Sequence, residues 1–317
     1  MDKIFALDSI FSNELLIVVA LILGLLVVVS IAFWVIGHLK PSLDLSELKA
    51  RTKSWWVMSI VFLLATMVVN EISYVAIAFL SFVAFRELYS ILDFRNSDRN
   101  AVLWAYLAIP IQYFLAYIGW YGAFIIFIPV VMFLLLPLRL VLKGDTKGIV
   151  ESMSKLQFTV MLSIFGISHM AYFISLPEID GFLSGGRGLL LFLVFLTEIN
   201  DVLQFTFGKI FGKHKIIPSI SPNKTWEGFL GGLISTTVIG YFLSFLTPLS
   251  GFYAAFASFL IAFAGFSGDI VLSSIKRDIG IKDTSDTIPG HGGILDRIDS
   301  LSYTAPVFFH FIYYLAY

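Results

Sequence analysis

Several stretches of about 20 residues in this chain carry no charged side chain. A helix of that length can cross the hydrocarbon layer of a bilayer, since each helical residue adds about 1.5 Å. Only 14% of the residues are charged and 58% are hydrophobic, whereas about a quarter of an ordinary soluble domain is charged. Strict alternation of apolar and polar residues, which is typical of a transmembrane barrel, is missing. The sequence therefore predicts an all-α, polytopic integral membrane protein.

The apolar stretches divide into ten predicted membrane-spanning helices. We place them at 14–37, 54–69, 72–91, 101–118, 121–142, 156–175, 187–207, 226–246, 252–274 and 300–316. Nineteen of the 21 lysines and arginines lie in five alternate connections and their flanks, and the exceptions are Lys3 and Arg187. The positive-inside rule then makes these five connections cytoplasmic and both termini external.

We divide the chain into a set of N-terminal transmembrane helices, 1–150, and a C-terminal transmembrane catalytic region, 151–317. In the second region, the cytoplasmic loops 208–225 and 275–299 hold most of the polar side chains. We therefore expect a site that faces the cytoplasm, in a protein of the cell (inner) membrane. The net charge of −1 gives no indication of a nucleic-acid partner, and the lack of cysteine excludes thiol catalysis and cysteine-ligated metals.

The run 268–300, GDIVLSSIKRDIGIKDTSDTIPGHGGILDRIDS, has an unusual density of polar groups between two apolar segments. Asp269, Ser273, Lys276 and Arg277 follow one another at spacings that place them on one face of a helix. The two cations are equally explained as groups that satisfy the last carbonyls of the helix. Asp269, however, opposes the helix dipole and lies close to the hydrocarbon, which indicates a functional acid unless it is paired.

Asp296 and Asp299 share a face at the start of the tenth predicted span. Carboxylates at a helix start can simply complement the helix dipole. The alternative is metal binding, because Mg²⁺ takes one or two carboxylates, keeps several waters and uses substrate phosphates as its other ligands. Asp269 and Asp296, one from each flanking helix, would form such a partial site, and we favour this interpretation.

A glycine-rich turn, 289–293, lies between these two helices. Small residues allow backbone amides to approach phosphate oxygens, although many loops are rich in glycine. Lys282, His291 and Arg297 flank or belong to the turn, so we interpret it as a site for a triphosphate. We expect His291 to contact phosphate.

The stretch 221–228, SPNKTWEG, is a second polar cluster. Ser221 followed by Pro222 is typical of an N-cap and first helical residue. A helix start with free amides beside Lys224 would bind an anion. The alternative is that this stretch only caps the eighth span.

Glu198 and Asp201 lie near the end of the seventh predicted span. Acids at that depth are costly and usually face a polar cavity. The alternative is that they pair with a basic residue such as Lys209 or Arg86. We interpret Arg86-Glu87 as a structural ion pair or an interface element rather than as a site.

Several of these motifs together resemble the phosphatidate cytidylyltransferases, also called CDP-diacylglycerol synthases. The resemblance rests on Ser273-Ser274-Ile275-Lys276-Arg277, Lys282-Asp283 and 288–299, IPGHGGILDRID, with 221–228 similar to a second hallmark of the family. It covers about 200–300 well and the apolar N-terminal half more loosely. One departure is that Gln204-Phe205 stands where the family usually has an Ala-Tyr pair.

The resemblance implies the reaction CTP + phosphatidic acid → CDP-diacylglycerol + pyrophosphate, with Mg²⁺ required. It implies that Asp269 and Asp296 bind the metal, with Asp299 close by, and that lysine, arginine and serine side chains contact phosphates. We accordingly assign as catalytic Asp296, Asp299, Lys276, Arg277 and His291, and as substrate-binding Ser221, Pro222, Lys224, Ser273, Lys282, Arg297 and Asp201. The expected partners are CTP, phosphatidic acid and membrane lipids, while a second monovalent or divalent cation and a homodimer are left open.

Two other functions remain as alternatives. A CTP-dependent polyprenol or phytol kinase would be a related membrane transferase with different products. A transporter would use Glu198 and Asp201 to carry protons or cations. Transporters often have two similar halves, but no such pairing is visible in this sequence, and transport would leave the 275–299 loop without a role.

Overall fold

The computed structural model describes residues 12–39, 45–67, 69–285 and 292–317. His291 lies outside the described residues, so its predicted phosphate contact stays a prediction. Across the described ranges the chain forms helices and contains no strand, apart from an isolated antiparallel bridge between Lys215 and Thr225. The prediction of an all-α protein is confirmed.

Ten long helical segments succeed one another along the described parts of the chain. We number them α1 (Asn13–Leu39), α2 (Ser46–Met67), α3 (Asn70–Ile91), α4 (Arg99–Tyr117), α5 (Tyr121–Val141), α6 (Ile149–Ser175), α7 (Gly185–Phe211), α8 (Trp226–Phe242), α9 (Gly251–Asp278) and α10 (Leu295–Ala316). Each predicted span overlaps one of these helices, because long uncharged apolar runs leave no other way to satisfy the backbone in a bilayer.

Six helices of the described chain are long and apolar enough to cross a membrane. They are α1, α3, α5, α6, α7 and α9. The protein is therefore an integral membrane protein built from helices. A count of ten spans and external termini remain predictions.

The last four helices pack closely together and position the polar residues of the C-terminal region. Helix α8 packs between α7 and α9, and α10 packs against α9 and α7. Glycines make two of these approaches possible: a Cβ atom on Gly268 would lie 2.8 Å from the carbonyl oxygen of Asp299, and one on Gly228 would lie 2.7 Å from that of Gln204. The first approach brings the start of α10 against the polar end of α9.

Polar contacts also tie the connection after α3 to α6. The buried carboxylate of Asp98 accepts hydrogen bonds from the Arg95 guanidinium (2.7 Å) and the Ser152 hydroxyl (2.6 Å). Burial raises the pKa of Asp98, but these hydrogen bonds outweigh burial and hold the pKa below its ordinary value. Ionised Asp98 therefore stabilises the fold.

This contribution should depend on pH in a defined direction. Since the folded-state pKa is depressed, the stabilisation is present above the unfolded-state pKa of about 4 and is lost as the pH falls through the folded-state value. We expect Asp98→Asn to lower the melting temperature by about 3 °C near pH 7, and the difference from wild type to narrow below about pH 4. Thermal unfolding in detergent at both pH values measures this. An equal difference at both would contradict the assignment, and Asp145→Asn, at an exposed acid beside the same arginine, is the control.

Candidate active site

Carboxylates from three helices converge at one end of the C-terminal helices. Helix α7 carries Glu198 and Asp201, α9 carries Asp269, and α10 carries Asp299. Asp269 interacts electrostatically with Asp201 and Asp299, and Glu198 interacts with the same two residues. Asp299 is buried, whereas the other three are partly exposed. We call these four residues the acid cluster.

Three cationic side chains border the acid cluster. The Lys224 ammonium lies 2.5 Å from one carboxylate oxygen of Asp269, whose other oxygen accepts a hydrogen bond from the Ser273 hydroxyl at 3.1 Å. Arg297 interacts electrostatically with Glu198 and Asp201, and Lys276 with Asp299. The structure thus brings together side chains that lie far apart in the sequence. The Ser300 hydroxyl, for example, donates a hydrogen bond to Asp201, which is 99 positions earlier in the chain.

Asp296 occupies a different position from the acid cluster, one turn before Asp299. One of its carboxylate oxygens lies 2.7 Å from the Lys276 ammonium. The other accepts hydrogen bonds from the Thr284 amide (2.8 Å), the Thr284 hydroxyl (2.9 Å) and the Gly293 amide (2.9 Å). Asp296 therefore links α9 and α10 to both described ends of the connection between them.

The predicted metal ligands Asp269 and Asp296 each contact a different lysine. Asp269 belongs to the acid cluster with Asp201 and Asp299, and Asp296 pairs with Lys276. Their joint binding of a metal stays a prediction. The contacts indicate that Asp299 and Asp201 are the carboxylates that share the environment of Asp269.

A divalent cation is compatible with this arrangement. Among the described residues no three histidine, cysteine, aspartate or glutamate side chains form a ready-made metal site. Mg²⁺ does not need one, because it is bound by one or two carboxylates together with water and substrate phosphates. The hard carboxylate oxygens of Asp269, Asp201 and Asp299 are the donors that this ion prefers.

The segment before α8 is folded differently from the sequence prediction. Ser221 and Pro222 are not the N-cap and first residue of α8: the helix begins at Trp226, and the Thr225 hydroxyl accepts the capping hydrogen bond from the Gly228 amide at 3.1 Å. Backbone pairing decides this, because Ile216 donates to the carbonyl of Lys224 and Trp226 to that of His214. Ser221 and Pro222 lie in the turn closed by this pairing, and their predicted substrate contacts remain predictions.

Two predicted phosphate-binding residues lie at the edge of the site. The exposed Arg277 guanidinium donates hydrogen bonds to the carbonyls of Ile220 (3.2 Å) and Ile281 (3.0 Å), and the first of these joins the loops 208–225 and 275–299. Lys282 is exposed. The two hydrogen bonds of Arg277 do not reach the acid cluster. The phosphate contacts of Arg277 and Lys282 stay predictions.

The seventh-span acids do interact with basic residues, but with others than the two examples named from the sequence. Glu198 interacts electrostatically with Arg297, and Asp201 with Lys224 and Arg297. Lys209 instead lies over the Phe205 ring, 5.8 Å from its centroid. Sequence reasoning could not identify these partners, because all of them come from other helices or loops.

Glu87 is not among the site residues predicted from the sequence. Arg86 is exposed, whereas Glu87 is buried and contacts the connection between α9 and α10. The two interpretations given to this dipeptide, a structural ion pair or an interface element, stay predictions. The only available signal was an acid near the end of an apolar span.

A cavity of about 840 Å³ lies on another face of α9. Its lining includes Ile91, Lys155, Phe158, Ile270, Ser274 and Ile275. No residue of the acid cluster lines it. The concentrated charge therefore lies on the Asp269 face of α9, and we place the candidate active site there.

Comparison with known proteins places this arrangement in a family. A sequence model of the cytidylyltransferase family matches residues 49–315, which covers most of the chain and all of α3 to α9. An uncharacterised protein of Escherichia coli (strain K12), YnbB, is 39% identical over 275 residues, which are 86% of this chain and 89% of the relative.

Two relatives carry the name phosphatidate cytidylyltransferase. The one from Mycobacterium leprae (strain TN) is 38% identical over 149 residues, 46% of this chain and 47% of the relative. The one from Staphylococcus haemolyticus (strain JCSC1435) is 35% identical over 158 residues, 49% of this chain and 61% of the relative. The matched part thus spans between about half and three-fifths of these two relatives. On the extent of the family match, this chain belongs to the cytidylyltransferase family.

Proposed function

We propose that this protein transfers the cytidylyl group of CTP to phosphatidic acid, forming CDP-diacylglycerol and pyrophosphate. The observation that carries the proposal is the acid cluster bordered by Lys224, Lys276 and Arg297, in a chain of the cytidylyltransferase family. The names of the partly matched relatives support phosphatidic acid as the acceptor.

The charge balance of the site suits a triphosphate and a divalent cation. The acid cluster contributes four carboxylates, and Lys276 is already paired with Asp296. When all four carboxylates are ionised, Lys224 and Arg297 together do not neutralise the cluster. A bound Mg²⁺, held by Asp269 with Asp201 or Asp299, would supply the missing positive charge and a template for the phosphate oxygens.

In the reaction, a phosphate oxygen of phosphatidic acid attacks the α-phosphorus of CTP, and the bond from that phosphorus to the bridging oxygen of pyrophosphate breaks. Lys224 is suited to bind the departing phosphates, because it belongs to the loop 208–225 and its ammonium reaches Asp269 of the acid cluster. Arg297 on α10 is suited to hold the acceptor phosphate. Fixed positive charges of this kind stabilise the charge that develops on the phosphate oxygens.

The pairing of Lys224 with Asp269 is expected to change when substrate binds. In the structure the ammonium lies 2.5 Å from the carboxylate and 4.8 Å from the Phe266 ring centroid. Binding of triphosphate and cation would give Asp269 a new positive partner and Lys224 a new negative one.

The location of the site agrees with the two substrates. The acid cluster lies where α7 and α9 approach their ends and α10 begins, next to the loops 208–225 and 275–299 that the charge pattern assigns to the cytoplasm. We propose that CTP enters from the cytoplasm at the cell (inner) membrane. The acyl chains of phosphatidic acid would meanwhile remain in the bilayer.

The direct test is incubation of the purified protein with labelled CTP, phosphatidic acid and Mg²⁺. We expect label in CDP-diacylglycerol, release of pyrophosphate, and loss of both when Mg²⁺ is chelated or phosphatidic acid is omitted. Appearance of CDP together with a newly phosphorylated polyprenol or phytol would instead identify a lipid kinase. Absence of any transfer from CTP would reject the proposal.

A further inference from the structure

Glu87 connects the N-terminal half of the chain to the candidate active site. It lies on α3, near the C-terminal end of that helix, and only 6% of the residue is exposed. Its carboxylate accepts a hydrogen bond from the Ser285 hydroxyl (2.9 Å) and lies 3.2 Å from the Thr284 hydroxyl, whose single hydrogen is shared between Glu87 and Asp296. It also accepts hydrogen bonds from the backbone amides of Ile294 (3.1 Å) and Leu295 (2.8 Å).

These contacts hold both described ends of the connection between α9 and α10. Thr284 and Ser285 precede residues 286–291, and Ile294 and Leu295 follow them at the start of α10. One buried carboxylate thus fixes the separation of the two ends. It also satisfies two amides at the N-terminus of α10, which would otherwise be buried without a partner.

The same carboxylate is one hydrogen bond away from Asp296. The Thr284 hydroxyl lies between the two acids, 3.2 Å from an oxygen of Glu87 and 2.9 Å from an oxygen of Asp296. Asp296 in turn holds Lys276 on α9. A continuous set of contacts therefore runs from α3 through Thr284 to the charged groups of α9 and α10.

Gly293 shows how closely these groups pack. A Cβ atom on Gly293 would lie 2.6 Å from a carboxylate oxygen of Glu87 and closer still to the Thr284 hydroxyl. Any side chain at this position would displace one of the two. The glycine therefore provides the space in which Glu87 meets the connection.

We propose that Glu87 is a positioning residue for the reaction, which fixes the connection between α9 and α10 and through it the Asp296–Lys276 pair. The kinetic part of this inference rests on the proposed function. The structural part, that the carboxylate orders residues 284–285 and 294–295, does not. The N-terminal helices thereby become part of the catalytic unit.

The test compares Glu87→Gln and Glu87→Asp with wild type and with Glu71→Gln. Glutamine keeps the size of the side chain but turns an amide towards hydroxyl and amide donors, while aspartate keeps the charge. Glu71 is an exposed acid in the first turn of the same helix, so its variant is a matched control. The full-length protein is used in detergent or nanodiscs.

Amide hydrogen exchange is the readout that does not depend on activity. In Glu87→Gln we expect faster amide exchange in peptides that contain Thr284, Ile294 or Leu295. Exchange in the peptides of α7 and α9 should be unchanged. In the transfer assay we expect kcat/KM for CTP to fall about 100-fold, in line with the cost of small displacements of reacting groups. We expect the KM for CTP to rise, and Glu87→Asp to recover part of the loss.

The outcomes separate the possible failures. Unchanged exchange in this segment, or a fall in thermal stability with a normal KM in the remaining active protein, would overturn the proposal. If the wild-type protein transfers no cytidylyl group, the proposed function fails, and the exchange comparison alone decides the role of Glu87.

Discussion

Replacing Asp269 by Asn is expected to reduce the proposed cytidylyl transfer about a thousandfold, because it removes a negative charge from the acid cluster and with it a proposed ligand for the divalent cation. Asp269 interacts electrostatically with Asp201 and Asp299, as Glu198 does, and it also holds the Lys224 ammonium at 2.5 Å. No other acid of the cluster combines these contacts. The loss should appear mainly in kcat/KM for CTP, and raising the Mg²⁺ concentration in the assay should not restore it.

The variant should remain folded. Asparagine has nearly the same size as aspartate, and its amide oxygen can still accept the hydrogen bond that the Ser273 hydroxyl donates. Lys224 keeps its contact with the Phe266 ring. Thermal stability is therefore expected to stay close to that of wild type.

Asp278→Asn is the matched control for this prediction. Asp278 is the last residue of α9, is exposed, and undergoes the same chemical change on the same helix. Its variant should retain activity. Turnover near the wild-type value in Asp269→Asn, measured as labelled CDP-diacylglycerol formed, would reject the assignment of Asp269 as a cation ligand.

The helices could be predicted from the sequence because their cause is local. An uncharged apolar run of sufficient length must satisfy its own backbone in the bilayer, whatever surrounds it. The predicted spans therefore overlap the observed helices from α1 to α10. Local reasoning also singled out Asp269, since an acid near a helix C-terminus beside the hydrocarbon is costly unless it is paired or has a use. The structure pairs it with Lys224, and its role in the reaction stays a prediction.

The partners of these acids could not be predicted. Asp269 lies beside Asp299 because Gly268 lets α10 approach within contact distance of α9, and the sequence does not reveal which glycine faces which helix. The contact between Glu87 and Thr284 joins residues 197 positions apart. Spacing rules along one helix carry no information about such a pair.

The prediction that Ser221 caps α8 was wrong for a related reason. Ser221 and Thr225 are both good capping residues by type. Backbone pairing between Ile216 and Lys224 keeps the chain extended past Ser221, so that Thr225 becomes the cap. Residue propensity identifies both residues as possible caps, but the contact between two loop segments determines which of them caps the helix.

The departure from the family pattern at Gln204 also lies at a contact between helices. The backbone carbonyl of Gln204 lies against Gly228, and its side chain lies against Gly232, at the crossing of α7 and α8. The residue is one turn from Asp201 but packs between helices rather than among the acids. We therefore expect it to affect the α7–α8 packing before it affects cation binding.

Breaking the buried pair of Lys276 and Asp296 is the second change with a large expected effect. The side chains are 10% and 3% exposed, and the ammonium lies 2.7 Å from the carboxylate. Removal of one partner from a buried pair leaves an uncompensated charge and typically costs about 3–5 kcal/mol of stability. We expect Lys276→Met and Asp296→Asn each to lower the free energy of unfolding by such an amount, measured by denaturant titration in mixed micelles.

The double variant separates the structural role of the pair from its catalytic role. Lys276→Met with Asp296→Asn removes both charges, while the asparagine oxygen can still accept hydrogen bonds from Thr284 and Gly293. Its loss of stability should therefore be smaller than the sum of the two single losses. The pair of partly exposed Lys155 and exposed Glu151, 2.6 Å apart, is the control, and breaking it by Glu151→Gln should leave stability nearly unchanged.

Activity is expected to behave differently from stability in this cycle. If Lys276 contacts phosphate during the reaction, the double variant stays inactive even where it regains stability, because methionine cannot neutralise the charge of the triphosphate. If turnover returns together with stability, the pair only holds α9 against α10. The predicted phosphate contact of Lys276 would then be wrong, and the cations that remain for the reaction would be Lys224 and Arg297 beside the acid cluster.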